Sequence, residues 1–153
     1  MPDNYRSKDL RKGRYSECNR IYHITASTHN RHPWFNNLIC GRIIVKTLQK
    51  AQIDTKTLAY VIMPDHMHWL MQLKKDTGIS KVVKNIKGKS AIEINQHLGR
   101  KGSIWQNGFY DHAIRKDEQI INIARYIIAN PVRAGLVSSV REYPLWDAMW
   151  LQE

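Results

Sequence analysis

Two histidines separated by one residue, His66-Met67-His68, are the first candidates for chemistry in this chain. On a β-strand, residues i and i+2 point to the same face, so both imidazoles project together. Two imidazoles at this spacing can share one divalent cation and leave coordination positions open for substrate oxygens. The alternative is a pair of structural or surface histidines. The surrounding segment is apolar, and burying two imidazoles there costs free energy unless something binds them.

Tyr126 and Asn130 form the second candidate group, because they are four residues apart in a predicted amphipathic helix and share one face of it. A rim tyrosine followed by an asparagine that caps the helix before Pro131 is the alternative. A phenol is a weak nucleophile at neutral pH because its pKa is about 10. A nearby divalent cation would polarise a phosphoryl group and assist attack by the phenol. Asn130 could place its amide oxygen on the same ion.

Hydrophobic periodicity predicts the elements that position these residues. Strands are expected at residues 20–27, 57–63, 66–73 and 105–114, and helices at 38–49, 79–98 and 117–129. The strands at 57–63 and 66–73 form a hairpin through Pro64-Asp65, which places the histidine pair directly after the turn. This order predicts an α+β sandwich, an antiparallel sheet with helices packed on one face, close to the split βαβ pattern.

The chain is strongly basic, with 24 Lys and Arg against 13 Asp and Glu and a net charge of +11. A polyanionic partner, nucleic acid above all, fits this charge, and a basic protein without such a partner is the alternative. The predicted helix at 79–98 carries four lysines that are either phosphate contacts or a solvated face: Lys81, Lys84, Lys87 and Lys89. Residues 1–19 are a basic arm that either contacts DNA, with Arg14 as a candidate, or is a disordered leader.

Three classes of protein are disfavoured by the sequence. No apolar run approaches the roughly 20 residues of a membrane span, and the N-terminus lacks the apolar region of a signal peptide. The 2 cysteines are far apart, which disfavours a disulfide framework or a zinc ribbon. We therefore expect a cytoplasmic protein without a membrane partner.

Three segments in register resemble a known family. They are residues 63–70 around the histidine pair, residues 105–115, and residues 126–136, which begin with Tyr126 and Asn130. Their order and spacing resemble the single-tyrosine transposases of the His-hydrophobe-His superfamily, of the insertion-sequence type, and most of all the REP-associated tyrosine transposases. The resemblance covers about residues 20–137, which leaves residues 138–153 as a tail expected to pack on the domain.

The resemblance implies a ferredoxin-like sandwich in which His66 and His68 hold Mg²⁺ or Mn²⁺. Tyr126 would attack single-stranded, hairpin-forming DNA, leaving a 5′-phosphotyrosine and a free 3′-hydroxyl that can reverse the reaction. Asn130 would be the third metal ligand, at a position where insertion-sequence relatives commonly have Gln. The family includes both monomers and homodimers.

Two residues of the second resembling segment are further candidates. His112 is either an accessory ligand, a contact to the scissile phosphate or a structural histidine. Arg115 is a candidate for DNA contact.

Two other functions remain open at this point. A non-catalytic nucleic-acid-binding module of the same topology would carry aromatic residues on its central strands and would give the histidine pair no role. A metal-dependent hydrolase would use the histidines to activate water, would need additional Asp or His ligands, and would have no need of Tyr126.

Overall fold

The computed structural model describes residues 19–74, 77–115 and 119–151. Its strands are β1 (Ile21–Ser27), β2 (Thr55–Met63), β3 (His66–Leu73), β4 (Tyr110–Ala113) and β5 (Trp146–Ala148). Its α-helices are α1 (Leu38–Lys50), α2 (Ile79–Leu98), α3 (Ile120–Ile128) and the single turn α4 (Asn130–Arg133). Short 3₁₀ turns lie at residues 29–31, 34–36, 51–53, 140–142 and 149–151.

The strands form one antiparallel sheet in the order β4-β1-β3-β2-β5. The first four strands and the two long helices follow one another as β1-α1-β2-β3-α2-β4, which is the ferredoxin-like arrangement with β1 and β3 at the centre. The predicted α+β class and antiparallel sheet are confirmed. Most predicted boundaries are also correct to within two residues, because the apolar periodicity of these segments agrees with their burial.

One face of the sheet packs against α1 and α2 and carries the larger apolar core. Met67 and Trp69 of β3 are completely buried there, together with Ile44 of α1 and Val83 of α2. The β1 strand alternates buried and half-buried residues along its length, so every second side chain enters this core. This layer gives the central strands their register, since a slip by one residue would expose the whole apolar set.

The other face of the sheet packs against α3, which corrects the prediction that all helices share one face. Ala124 and Ile127 of α3 are buried against Val61 and Leu70. The pattern of α3 showed only that one side of the helix is apolar, and a helix of that kind can cover either face of a sheet. Because α3 is short, it covers this second face only in part.

The turn between β2 and β3 is clamped by the loop that follows β1. Thr28 is completely buried. Its backbone N–H and its hydroxyl both donate to the carbonyl oxygen of Asp65, at 2.9 and 3.0 Å. The N–H of Phe35 donates to the carbonyl oxygen of Pro64 at 3.1 Å. These bonds fix the position at which β3 begins, and therefore fix His66.

The segment from residue 138 returns to the body and adds β5 to the outer edge of β2. Leu145 is buried against α1 at Gly41, where a Cβ atom would collide with the Leu145 side chain. This close approach explains a glycine inside a helix. The predicted extended segment at 105–114 is shorter in the structure, because residues 110–113 form β4 and Trp105 makes only an isolated bridge to Thr28.

Two sequence predictions extend beyond what the structure describes. Most of the predicted basic arm, residues 1–18 with Arg14, lies outside the described residues. So do residues 116–118, where the third helix was expected to begin. Among the helices of the described ranges, none is both long and apolar enough to cross a bilayer.

Candidate active site

His66 and His68 lie on the face of the sheet that α3 partly covers. They pair across the sheet with Ser27 and Thr25 of β1 and with Met63 and Val61 of β2. Both rings are half-buried, their centroids are 5.0 Å apart, and their planes are nearly perpendicular. The predicted projection of both imidazoles from one face of a strand is therefore what the structure shows.

His66 is held by a carboxylate. Its Nδ1 lies 2.7 Å from Oδ1 of Asp65, and the other carboxylate oxygen of Asp65 accepts from Nε of Arg31 at 3.0 Å. Burial raises the pKa of Asp65, but the hydrogen bond from His66 and the charge of Arg31 outweigh burial and hold that pKa below its usual value. An ionised carboxylate accepts hydrogen bonds and donates none, so it selects the His66 tautomer with the proton on Nδ1 and a lone pair on Nε2.

Arg31 reaches Asp65 from an unusual backbone conformation. Its φ is +55°, as is that of Asn30, and non-glycine residues rarely adopt this left-handed region. The side chain also donates from Nη1 to the hydroxyl of Ser27 at 3.0 Å. Two hydrogen bonds from one guanidinium thus tie this strained turn to the histidine site.

His68 contacts the neighbouring central strand. Its Nδ1 lies 3.0 Å from Nε2 of His23 and 3.2 Å from the hydroxyl of Thr25. Burial, then the neighbouring His23, His66 and Arg133, lower the pKa of His68 to about 3. Burial and the adjacent His112 lower the pKa of His23 to about 4. His68 and His23 are therefore neutral at pH 7, which a metal-ligating histidine must be.

Tyr126 is exposed, with 65% of its surface accessible to solvent. The guanidinium carbon of Arg133 lies 3.7 Å from the centroid of its ring. Nη1 of Arg133 donates to the carbonyl oxygen of Tyr126 at 2.6 Å. The positive charge of Arg133 is also the smallest of the causes that lower the pKa of His68, after burial, His23 and His66.

Asn130 is half-buried and is the first residue of α4. The prediction placed it one helical turn after Tyr126 in a continuous helix, but α3 ends at Ile128 and a new turn begins at Asn130. In an unbroken helix, the N–H of Asn130 would donate to the carbonyl oxygen of Tyr126. Here the side chain of Arg133 donates to that oxygen instead. The break follows from Pro131, which cannot donate a backbone hydrogen bond. Asn130 as a metal ligand stays a prediction.

The donor set fits an open divalent-cation site. His66 and His68 each have Nδ1 engaged by a neighbour, so the Nε2 atoms of the two adjacent rings are the ones that remain to bind a cation. For His68, this requires that the ring proton is on Nδ1. Within the described residues, no three His, Cys, Asp or Glu side chains form a group that could hold a metal. Two imidazoles and an amide oxygen would hold the ion incompletely, and water and phosphoryl oxygens would complete its shell.

Comparisons with known proteins assign the chain to a family. A sequence profile of the family described as "Transposase IS200 like" matches residues 16–130, well over half of the chain. This chain belongs to the IS200-like transposase family. A putative REP-associated tyrosine transposase of Haemophilus influenzae is 33% identical over 99 residues, covering 58% of this chain and 56% of the relative. A REP-associated tyrosine transposase of Escherichia coli K12 is 34% identical over 87 residues, covering 56% and 50%. The chain thus matches about half the length of each relative.

Solved structures show the same fold. A REP-associated tyrosine transposase bound to a REP hairpin superposes with a TM-score of 0.71 at 27% identity, covering 87% of this chain and 79% of that one. A putative transposase from Deinococcus radiodurans superposes with a TM-score of 0.54 at 23% identity, covering 76% and 94%. The predicted resemblance to the REP-associated tyrosine transposases is confirmed.

The predicted lysine contacts lie away from the histidines. Helix α2 packs on the opposite face of the sheet, where Lys81, Lys84 and Lys89 are exposed. Lys87 is half-buried and donates from Nζ to the carbonyl oxygens of Gln106 and Gly108, at 2.7 and 2.6 Å. These bonds hold α2 against the loop before β4, so Lys87 has a structural role.

The two candidates on β4 and after it lie at the edge of the sheet. His112 pairs with His23 across β1 and β4, so it adjoins the neighbour of His68 and is two strands away from the histidine pair. Arg115 is exposed directly after β4. His112 as an accessory ligand and Arg115 as a DNA contact stay predictions.

The binding-module interpretation requires exposed aromatic residues on the central strands. The structure places Trp69 and Tyr22 on the helix-covered face, where both are buried. On the histidine face, β1 and β3 carry imidazoles and hydroxyls next to the site instead, so nothing in the described residues favours that interpretation.

Sequence reasoning missed three residues of this site: Asp65, His23 and Arg133. Asp65 was visible as part of the turn before His66, and carboxylates next to ligating histidines are a recurrent arrangement. The polar positions of β1, which alternate from His23 to Ser27, were a signal that this strand faces the site. Arg133 gave no comparable signal, because its contact with Tyr126 depends on the break at Ala129.

Proposed function

We propose that this chain is a metal-dependent transposase that cleaves and rejoins single-stranded, hairpin-forming DNA through a 5′-phosphotyrosine on Tyr126. The observation that carries the proposal is a pair of adjacent histidines, His66 and His68, on the face of the sheet that α3 partly covers, with Tyr126 exposed on α3. The structural relative that was solved with a REP hairpin supports a DNA hairpin as the substrate.

In the forward step, the phenolic oxygen of Tyr126 attacks a DNA phosphorus. The bond between that oxygen and phosphorus forms, and the bond from phosphorus to the 3′-oxygen breaks. The phenol loses its proton to solvent, and the departing 3′-oxygen takes up a proton to become a free hydroxyl. A 3′-hydroxyl reverses the step by attacking the phosphotyrosine, so joining needs no external energy source. Exposure of the phenol lets a DNA strand reach it.

His66, His68 and Asn130 would hold Mg²⁺ or Mn²⁺. When bound, the ion would polarise the phosphoryl oxygens as a Lewis acid. Asp65 orients the imidazole of His66, and Arg133 places a positive charge beside the tyrosine ring where negative charge develops.

A cleavage assay with two labels tests this function. A hairpin oligonucleotide labelled at its 3′ end should become covalently attached to the protein on a denaturing gel in Mg²⁺ or Mn²⁺. The same oligonucleotide labelled at its 5′ end should instead release a free, shortened strand, and EDTA should abolish both products. DNA binding without cleavage under any divalent ion would show a binding module instead.

The matched variants are Tyr126→Phe and Tyr60→Phe. Tyr60 carries its hydroxyl on the other face of the sheet, where burial and Asp147 raise its pKa to about 12. Tyr126→Phe should lower cleavage by at least about 10³-fold, as expected for loss of a nucleophile. Tyr60→Phe should retain it. A Tyr126→Phe protein that still forms the adduct would exclude Tyr126 as the nucleophile.

A further inference from the structure

A hydrogen bond joins two histidines of different strands, His23 on β1 and His68 on β3. Nε2 of His23 lies 3.0 Å from Nδ1 of His68, with the ring centroids 5.2 Å apart. The hydroxyl of Thr25 lies 3.2 Å from the same Nδ1. The sheet fixes this contact. Thr25 pairs directly with His68, and His23 lies two residues before Thr25 on the same face of β1.

Two neutral imidazoles can form this bond in two ways, with opposite consequences. In one, Nδ1 of His68 carries the proton and donates it, so Nε2 of His68 keeps its lone pair. In the other, Nε2 of His23 donates, and the proton of His68 is then on Nε2. Only the first arrangement leaves His68 able to bind a cation through Nε2.

We propose that His23 is a positioning residue that accepts the Nδ1 proton of His68 and thereby fixes both the tautomer and the ring orientation of that ligand. The part of this inference that concerns the metal rests on the proposed function. His23 serves His68 as Asp65 serves His66, at 3.0 Å and 2.7 Å respectively. Thr25 is a second acceptor on the same nitrogen.

The two acceptors differ in how firmly they select a tautomer. The ionised carboxylate of Asp65 accepts and cannot donate, so His66 has one arrangement. Neutral His23 can donate as well as accept, and its ring can rotate away from His68. The selection at His68 therefore depends on His23 being present with an acceptor atom at the position of its Nε2.

The affinity for Mn²⁺ gives the first test. It is measured by electron paramagnetic resonance, in which the signal of free Mn²⁺ is lost as the protein binds the ion. His23→Ala should weaken Mn²⁺ binding by about 10- to 100-fold, the usual effect of losing such an outer partner. His23→Gln, whose amide oxygen can reach the same place and accept, should restore most of the affinity. His97→Ala removes an exposed histidine of α2 and is the matched control that should bind as the parent does.

Nitrogen-15 NMR of the histidine rings gives the second test, in metal-free protein at about pH 8, where an unprotonated ring is expected. In the parent, His68 should carry its proton on Nδ1, with scalar coupling to Nε2 of His23 across the hydrogen bond. In His23→Ala, the population with the proton on Nε2 of His68 should rise. A parent protein in which His23 is the donor would overturn the proposal.

The two tests separate this inference from the proposed function. If the parent binds Mn²⁺ and His23→Ala binds it equally well, the positioning role is wrong and the transposase function stands. If the parent binds no Mn²⁺ and forms no DNA adduct, the proposed function is wrong, and the NMR measurement still decides which ring donates.

Discussion

The two faces of the sheet give alternate residues of β3 very different surroundings. On one face, Met67 and Trp69 are completely buried beneath two long helices. On the other, His66 and His68 are half-buried beside the short helix α3 and hydrogen-bond to polar neighbours. In this part of β3, the residues that pack in the core therefore alternate with the residues that would bind a metal.

The largest effect on folding is expected from the helix-covered face. Trp69→Ala should destabilise the protein by about 3–5 kcal/mol, because it leaves a cavity in a close-packed core. It also removes the hydrogen bond from Nε1 to the hydroxyl of Thr57, 2.9 Å long. Urea unfolding measures the change, and His66→Gln on the same strand is the control, expected to shift stability by less than about 1 kcal/mol. If both variants lose the same free energy of unfolding, the two faces do not differ in their contribution to stability.

For metal-dependent cleavage, the larger effect should come from the histidine face. His66→Gln removes a proposed metal ligand, so Mn²⁺-dependent cleavage should fall by about 100-fold or more, with folding intact. The assay is cleavage rate as a function of Mn²⁺ concentration, and His97→Gln on α2 is the matched control. A His66→Gln protein with the parent's rate and Mn²⁺ dependence would contradict the metal site.

The histidine face should also make stability depend on pH. The folded pKa values of His68 and His23, about 3 and about 4, lie below the 6.5 of an exposed histidine. The unfolded chain therefore binds more protons as pH falls below about 6.5, and stability should fall with it, down to about pH 4. The slope is at most about 1.4 kcal/mol per pH unit for each histidine.

Urea unfolding from pH 7 to pH 4 measures this slope. The charges that face these rings are those of Arg133 and, once protonated, His66 and His112, and all of them oppose protonation of His68 or His23. In a double variant, His23→Gln with His68→Gln, the free energy of unfolding should change less between pH 7 and pH 4. Asp65 contributes separately and at lower pH, because its lowered pKa stabilises the fold only while the carboxylate is ionised. A parent protein with constant stability from pH 6.5 to pH 4.5 would be inconsistent with two neutral buried histidines.

The smallest effect is expected at Arg133. Arg133→Gln should slow cleavage by roughly fivefold to thirtyfold, since an exposed cation–π contact and one hydrogen bond are each worth about 0.5–1 kcal/mol. Arg100 is a matched control because it lies 4.4 Å over the ring of Trp34 on another part of the surface. If Arg100→Gln slows cleavage as much as Arg133→Gln, the charge acts generally on DNA and has no special place beside Tyr126.

Much of the fold could be predicted from the sequence because its long elements have clear periodicity. The strands β2 and β3 and the helices α1 and α2 were found where the apolar residues place them. The strand β5 was missed because its 3 residues have no periodicity of their own and become a strand only by pairing with β2. The face that α3 covers also depends on tertiary packing.

The site was predictable where its residues are close in sequence. His66 and His68 could be paired from spacing alone, since both lie on one strand. The contact between His23 and His68 joins residues 45 positions apart, so it needed the strand register. The position of Asn130 was predicted from a continuous helix, and the break before Pro131 changed it.

The most direct test of the central claim is to locate the covalent bond. The parent protein would be incubated with a hairpin oligonucleotide and Mn²⁺, digested with trypsin and nuclease, and its peptides analysed by mass spectrometry. We expect a nucleotide attached through a 5′-phosphate to the tryptic peptide Tyr126–Arg133, on the Tyr126 oxygen, and no such product in EDTA. Attachment to Tyr110 or Tyr143, or cleavage of DNA without any protein-bound nucleotide, would contradict the assignment of Tyr126 as the nucleophile.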